Sequence, residues 1–245
     1  MTSVIDFHTH VLPGIDDGSK SPEESVAMLR MEAHQGIEHV VLTPHFYAEK
    51  EALPHFLERR NRSLQRLYTA MDKENGLPEL SVGAEVRIFE GIGNAEYLSE
   101  LAISGTKCIL IEMPMPPWSD NLLKELERIR YKRRLVPIMA HIDRYISPFH
   151  TRGIPEIFAE LPVLVQASGS FFINRSTRSF ALKLLREKKI HLLGSDCHNL
   201  DTRPPNLQET LRIIETKMSS SRILGINSLE SRLLDGESSK ERIHV

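Results

Sequence analysis

Short apolar segments recur along the chain, and nearly every one of them ends in a histidine or a carboxylate. Seven such segments are predicted to be buried strands, and the stretches between them have the pattern of amphipathic helices. Strands that alternate with helices predict a parallel sheet, and continuous Val, Ile and Leu runs are typical of strands buried on both faces. An open, doubly wound sheet is one solution. A closed barrel is favoured, because the polar strand ends would then meet at one rim.

The predicted strands are short, and one helix between them has clear boundary signals. Ser21 can cap that helix, Pro22 suits its first turn, Glu24 completes a capping box and Gly36 ends it. Further helices are predicted over about 54–74, 176–188 and 206–218. The seven strands are Val4 to Phe7, His39 to Thr43, Leu80 to Ala84, Cys108 to Ile111, Val136 to Ala140, Val163 to Ala167 and His191 to Gly194.

Length and composition exclude several classes of protein. The chain has 245 residues, of which 40% are hydrophobic, and we expect residues 1–245 to form a single domain. Its net charge of -2 argues against broad nucleic-acid binding. Two cysteines imply no disulfide framework, and neither a secretory signal nor a membrane-spanning run is visible. We therefore expect a cytoplasmic protein without membrane insertion; its oligomeric state stays open.

Candidate metal ligands stand at the ends of the predicted strands. His8 and His10 are two residues apart, so they point to the same side of an extended chain. Nine ligands are too many for one ion and suit two or three, and mixed imidazole and carboxylate ligands suit Mn, Fe or Zn. Any one of them could be an ordinary polar group at a strand end. The nine are His8, His10, Asp17, His45, Glu85, Glu112, His141, Asp196 and His198.

Several motifs around these residues resemble the PHP (polymerase and histidinol phosphatase) superfamily. They are Asp6–His10 (DFHTH), Asp16–Gly18 (DDG), Thr43–His45 (TPH), Gly83–Glu85 (GAE), Ala140–Tyr145 (AHIDRY) and Ser195–Asn199 (SDCHN). Two more runs, Asp17–Ser21 (DGSKS) and Thr202–Pro205 (TRPP), resemble the narrower CpsB/CapC type of metal-dependent bacterial protein-tyrosine phosphatase. The resemblance covers nearly the whole chain.

The resemblance implies the PHP fold, a distorted seven-stranded parallel (β/α)7 TIM-like barrel, and a metal-dependent phosphoric monoester hydrolase. It further implies two or three Mn²⁺ ions, with Fe or Zn as substitutes. Arg144 and Arg203 would bind the phosphate of a phosphotyrosine, and the guanidinium fork matches that anion. The expected partner is a phosphotyrosine protein or peptide. In this family it is the tyrosine-rich tail of a bacterial tyrosine autokinase that controls capsular or exopolysaccharide synthesis.

The same resemblance implies how the nine ligands divide among the ions. His8, His10, Glu85 and Asp196 would surround one ion. Glu85 would bridge to a second ion held by Glu112 and His141, and Asp17, His45 and His198 would hold the third.

Two other functions stay open at this point. One is a PHP phosphatase for a small phosphate monoester such as histidinol phosphate. The other is a barrel that binds phosphotyrosine without turnover, although a degenerate enzyme should have lost ligands or arginines and none is missing here.

A cysteine close to the predicted ligands raises the question of a thiol mechanism. Cys197 lies six positions before Arg203, as in the cysteine-dependent tyrosine phosphatases. The loop between them contains no glycine, whereas a loop that wraps phosphate with backbone N–H groups normally needs one. Asp196 and Asp201 also place negative charge near the thiol. We expect Cys197 to pack behind the site and not to act as the nucleophile.

Overall fold

The computed structural model describes residues 4–146 and 153–236, which form a mixed α/β fold with parallel strand pairs. One sheet has the strand order β1-β2-β4, and the other has the order β3-β5-β6-β7-β8-β9. Every strand pair in both sheets is parallel, as the sequence predicts. The strands are β1 (Ile5–Thr9), β2 (His39–Leu42), β3 (His45–Phe46), β4 (Glu79–Val82), β5 (Glu85–Arg87), β6 (Cys108–Glu112), β7 (Val136–Met139), β8 (Leu164–Ser168) and β9 (Leu192–Gly194).

Helices connect the strands and cover them. They are α1 (Pro22–His34), α2 (Leu53–Met71), α3 (Asp120–Tyr131), α4 (Ile154–Glu160), α5 (Gly169–Ile173), α6 (Arg178–Arg186), α7 (Leu207–Lys217) and α8 (Ser220–Leu234). Short 3-10 helices lie at Ile92–Asn94, Glu96–Leu101 and Ile142–Arg144. The predicted cap of α1 is confirmed, since Ser21 Oγ accepts a hydrogen bond from Glu24 N. Within the described residues no helix is long and apolar enough to cross a membrane.

Two of the predicted strands are each interrupted. Each forms two shorter strands, and these belong to different sheets. Pro44 separates β2 from β3, and it has no N–H to donate to a ladder. Gly83 separates β4 from β5, and its carbonyl accepts a hydrogen bond from Arg60 Nη1 at 3.1 Å. After both breaks the chain resumes in register, with His45 paired opposite Glu85. The interruptions therefore bring two candidate ligands face to face.

The first and last strands meet through backbone and side-chain hydrogen bonds. Asp196 N donates to His8 O, and His10 N donates to Cys197 O, each at 2.9 Å. Asp6 Oδ1 accepts from Ser195 N at 2.9 Å, so one buried carboxylate joins β1 to the segment that follows β9. This joint places the segment after β9 directly beside β1.

Apolar side chains from successive strands form the interior. Ile5 and Phe7 of β1 pack in one buried cluster with residues of β2, β6, β7, β8 and β9. A larger cluster fills the space between the strands and the helices.

The sequence prediction missed α4 and α5, because a helix of five to seven residues has too few turns to show a period. At Gly169, the first residue of α5, an added Cβ would lie 2.0 Å from Asn206 Oδ1.

Glu230 is a buried acid that joins α8 to the sheet. Its Oε1 accepts a hydrogen bond from Leu193 N at 3.0 Å, and the residue is 1% exposed. Burial raises the pKa of this carboxyl well above its usual value. A raised pKa contributes stability below the pKa of the unfolded chain, and that stability is lost as the pH rises through the folded-state pKa.

We predict that Glu230→Gln raises the melting temperature at pH 8 and has no such effect near pH 4, which lies below the ordinary pKa of 4.5 for this carboxyl. The amide keeps an acceptor for Leu193 N but removes the cost of ionisation. A gain of 1 kcal/mol would correspond to about 2–4 °C for a chain of this size. Thermal unfolding at both pH values measures the difference. Glu230→Leu is the control, since it removes the hydrogen-bond acceptor of Leu193 N and should lower the melting temperature at both pH values. A Glu230→Gln variant whose melting temperature falls equally at both pH values would contradict the raised pKa of Glu230.

Candidate metal centre

The Glu85 carboxylate lies at the centre of the predicted ligands and contacts four imidazoles. Its Oε2 is 3.2 Å from His8 Nε2, 3.2 Å from His10 Nε2 and 3.0 Å from His45 Nδ1. Its Oε1 is 2.6 Å from His141 Nε2. These side chains come from four different strand ends, so only the tertiary fold brings them together.

The remaining carboxylates lie around this centre. Asp196 Oδ1 is 3.6 Å from His8 Nε2 and 3.5 Å from His10 Nε2. Glu112 Oε1 is 3.9 Å from His141 Nε2. The structure thus brings Asp196 to the side of His8 and His10, and Glu112 to the side of His141.

Asp17 forms a third group on the outer side of the centre. Its Oδ1 is 3.4 Å from His45 Nε2 and 3.5 Å from His198 Nε2, and its side chain is 65% exposed. All nine predicted ligand residues therefore lie in one connected cluster. Among these nine residues, three groups have ligand atoms within 4.8 Å of one another: His10, Asp17, His45 and His198; His8, His10 and Glu85; and His45, Glu85 and Glu112.

Two of these residues adopt the left-handed backbone conformation. His141 has φ 33° and Asp196 has φ 54°, a region that non-glycine residues rarely enter. Such a conformation costs about 1–3 kcal/mol and persists where the surroundings determine it. Each of the two residues follows a strand; the side chain of His141 contacts Glu85, and that of Asp196 contacts His8 and His10.

Two side chains behind the centre set the orientation of the histidines. His10 Nδ1 is 2.8 Å from Asp16 Oδ2, and His8 Nδ1 is 3.3 Å from Gln166 Oε1. A ligand histidine that donates from one ring nitrogen presents the lone pair of the other nitrogen to an ion. Gln166 Oε1 also accepts from His141 N at 2.6 Å. The roles of Asp16 and Gln166 were not predicted from the sequence, although a glutamine inside an apolar strand was a usable signal.

The arrangement of buried polar atoms fits metal ions. Glu85 Oε2 and Asp196 Oδ1 are buried; they have ion-pair contacts with imidazoles but no hydrogen-bond partner among the described residues. Buried polar atoms without partners are costly, and here they point into a set of nitrogen and oxygen donors. That donor set contains no thiolate and suits Mn, Fe or Zn.

Electrostatics in the cluster favour close contact between imidazoles and carboxylates. Burial alone would lower the pKa of His10, but Asp16 and then Glu85 raise it to about 10. Burial alone would raise the pKa of Glu85, but the charges of His8 and His141 hold it well below its usual value. The hydrogen bond with His198 lowers the pKa of Asp17. Ion binding at these nitrogens must therefore displace protons.

The two predicted phosphate-binding arginines lie on the solvent side of the ligands. Arg144 Nη2 is 2.8 Å and Arg203 Nη2 is 2.6 Å from the same atom, Asp196 Oδ2. Both side chains are 36% exposed. The opposite oxygen of Asp196 faces His8 and His10, so this candidate ligand lies between the arginines and those two histidines.

Two more side chains reach this rim and were missed in the sequence. Arg87 Nη1 is 3.2 Å from Glu112 Oε2, and the Tyr47 ring centre is 5.2 Å from that of His45. Arg87 follows Glu85 by two positions, and this spacing could have indicated that both point to one side of a strand. Nothing local in the sequence distinguishes Tyr47.

Cys197 is completely buried and faces away from the candidate ligands, which confirms its expected packing behind the site. Its Sγ lies 3.8 Å from Glu32 Oε1. Burial, together with the charges of Glu32 and Asp6, raises the pKa of the thiol well above its usual value. A buried neutral thiol is a poor nucleophile.

Comparison with known proteins agrees with the resemblance seen in the sequence. The profile of the capsular polysaccharide synthesis family CpsB/CapC matches residues 4–230. The chain belongs to the CpsB/CapC family. Tyrosine-protein phosphatase YwqE of Bacillus subtilis is 29% identical over 238 residues, covering 89% of this chain and 86% of YwqE. Putative tyrosine-protein phosphatase CapC of Staphylococcus aureus is 28% identical over 217 residues, covering 84% and 81% of the two chains.

A solved structure of the CpsB/CapC family shares the fold. It is a chain from the crystal structures of YwqE from Bacillus subtilis and CpsB from Streptococcus pneumoniae, which are described as unique metal-dependent tyrosine phosphatases. Its TM-score is 0.83 with 24% identity, and the match covers 95% of each chain. At that identity the match shows a common fold.

We predict that Gln166→Leu weakens metal binding by about 10–100-fold, as is typical for residues that orient ligand histidines. The variant removes the acceptor shared by His8 Nδ1 and His141 N while filling the same space. Metal content by elemental analysis and affinity by calorimetry measure the effect. Glu85→Ala is the reference for loss of a ligand, and Gln65→Leu on exposed α2 is the neutral control. Unchanged affinity in Gln166→Leu would show that the histidines need no such support.

Proposed function

We propose that this chain is a manganese-dependent protein-tyrosine phosphatase that hydrolyses phosphotyrosine. The observation that carries the proposal is the nine-residue cluster of nitrogen and oxygen ligands around Glu85, with Arg144 and Arg203 directly beside it. The names of the CpsB/CapC relatives supply the substrate class. Two or three Mn²⁺ ions are proposed, with Fe or Zn as substitutes.

The proposed ligand sets follow the contacts around Glu85. His8, His10 and Asp196 would share one ion with Glu85, and His141 and Glu112 would share another with it. Asp17, His45 and His198 would hold the third. When bound, the ions would supply Lewis acidity and a deprotonated water near neutral pH.

The chain's own residues would position the phosphoryl group and accept no covalent bond. Arg144 and Arg203 are partly exposed at the rim, where their guanidinium N–H groups can donate hydrogen bonds to a phosphoryl dianion. Their charge would stabilise the phosphoryl oxygens as the ester bond breaks. Tyrosine leaves as a phenolate with a pKa of about 10, so a strong general acid is less necessary.

A flexible phosphotyrosine segment is the proposed partner. Asp17 and the two arginines are partly exposed, so the rim is open to an extended peptide. We take the tyrosine-rich tail of a bacterial tyrosine autokinase as the substrate, acting in capsular or exopolysaccharide synthesis. The family's description as a capsular polysaccharide synthesis family supports this setting. A cytoplasmic location is part of the same proposal.

The strands are proposed to form one distorted seven-stranded (β/α)7 TIM-like barrel within a single domain. Counted this way, β2 with β3 and β4 with β5 are two interrupted strands. The support for closure is the parallel bridge between Thr9 and Cys197, beside the apolar cluster shared by β1 and β9.

We predict that added Mn²⁺ supports hydrolysis of a phosphotyrosine peptide in preference to histidinol phosphate, and that EDTA abolishes it. Cys197→Ala should keep most of the activity, because the thiol is buried behind the site. Release of phosphate from both substrates measures the preference. Preference for histidinol phosphate would favour a small-molecule phosphatase, and tight peptide binding without turnover would favour a binding barrel. A folded, metal-bound Cys197→Ala protein without activity would contradict the mechanism.

We predict that Arg144→Ala or Arg203→Ala lowers kcat/KM by about 100-fold without loss of metal. Each arginine contacts Asp196 through Oδ2, whereas Oδ1 faces the histidines. Metal content and steady-state kinetics are measured on the same preparation. Arg62→Ala on the exposed face of α2 is the control. Full catalytic efficiency in either variant would remove that arginine from the proposed site.

A further inference from the structure

Five charged side chains of alternating sign form a continuous arc along the rim. Arg203 contacts Asp196, Asp196 contacts Arg144, and Arg144 Nη1 lies 3.5 Å from Glu112 Oε1. Beyond it, Arg87 Nη1 lies 3.2 Å from the other oxygen of Glu112. Arg144 and Arg87 therefore flank one carboxylate, and the arc has three arginines, of which the sequence indicated two.

Arg87 is held on the sheet at the same level as the ligands. It lies on β5 two residues after Glu85, and it pairs in register with Glu112 of β6. Residues two apart on a strand share a face, so its side chain emerges beside that of Glu85. It is 34% exposed, against 36% for Arg144 and for Arg203. The three arginine side chains are thus exposed to nearly the same extent along one rim.

The balance of charges at the rim indicates a role for Arg87. Asp17, Glu85, Glu112 and Asp196 place four carboxylates where a phosphoryl dianion would have to approach. Like charges at such distances oppose binding unless cations offset them. Arg87 reaches Glu112 through Nη1, and a guanidinium has five N–H donors, so others remain for a second anion.

We propose that Arg87 is a third phosphate-binding arginine, which contacts the phosphoryl group of the substrate together with Arg144 and Arg203. This inference rests on the proposed phosphatase function and extends its binding site to the β5 side of the rim. The competing role for Arg87 is to orient Glu112 alone. That role would affect the ions and leave the affinity for phosphate unchanged in fully metal-loaded protein.

The test compares orthophosphate binding and metal binding in the full chain. Wild type, Arg87→Gln, Arg87→Lys and the control Arg62→Gln are loaded with the same metal, and their metal content is measured. Calorimetry then gives the affinity for orthophosphate, and kinetics gives KM and kcat for a phosphotyrosine peptide. Thermal unfolding checks that each variant is folded.

We expect Arg87→Gln to bind orthophosphate about tenfold more weakly or worse, as for loss of a hydrogen bond to a charged group, with unchanged metal content. The affinity of Arg87→Lys for orthophosphate should lie between those of Arg87→Gln and wild type, because lysine keeps the positive charge but lacks the forked N–H donors of a guanidinium group. Arg62→Gln should match wild type, since Arg62 pairs with Glu58 on the exposed face of α2.

Two results would overturn the inference. One is an unchanged orthophosphate affinity in Arg87→Gln, and the other is a loss of phosphate binding only in proportion to lost metal, which would assign Arg87 to Glu112 alone. A wild-type protein that binds orthophosphate with the predicted dependence on Arg87 but does not hydrolyse phosphotyrosine would refute the proposed function and leave this site intact. A metal-loaded wild type that neither binds orthophosphate nor turns over would refute both.

Discussion

The contact of one buried carboxylate with four imidazoles is the interaction on which the site depends. Glu85 is completely buried, and its two oxygens lie within 3.2 Å of nitrogens from His8, His10, His45 and His141. A buried carboxylate is costly unless positive charge offsets it, and imidazolium groups or metal ions can both do so. Without Glu85 the four histidines, which come from three different strand ends, would have no common partner.

The fold delivers this contact through its irregular features. Pro44 and Gly83 interrupt two strands and let His45 resume opposite Glu85. Left-handed conformations turn His141 and Asp196 inward after β7 and β9. In regular strands these side chains would not meet. The strand interruptions and the left-handed residues therefore bring them into a single cluster. Their conformational cost is offset by the hydrogen bonds and ion pairs of the site.

A second layer of buried acids lies behind the centre and connects it to the helices. Asp6 accepts hydrogen bonds from the backbone N–H groups of His8 and Ser195, and Glu230 accepts one from Leu193. Burial raises the pKa of both carboxyls, as it does for Glu32. These groups hold the backbone of the ligand-bearing segments through hydrogen bonds, while the arginines lie on the opposite, solvent side of the ligands.

The sequence by itself determined the parallel α/β class, the identity of the candidate ligands and the cap of α1. These features are local: a strand period, a polar residue at a strand end and the Ser21-to-Glu24 spacing are all legible within a few residues. Only the tertiary structure decided the roles of Gln166 and Arg87 and the pairing of His45 with Glu85. Each depends on contacts between segments far apart in the chain, such as Gln166 with His8, and no local pattern encodes such a distance.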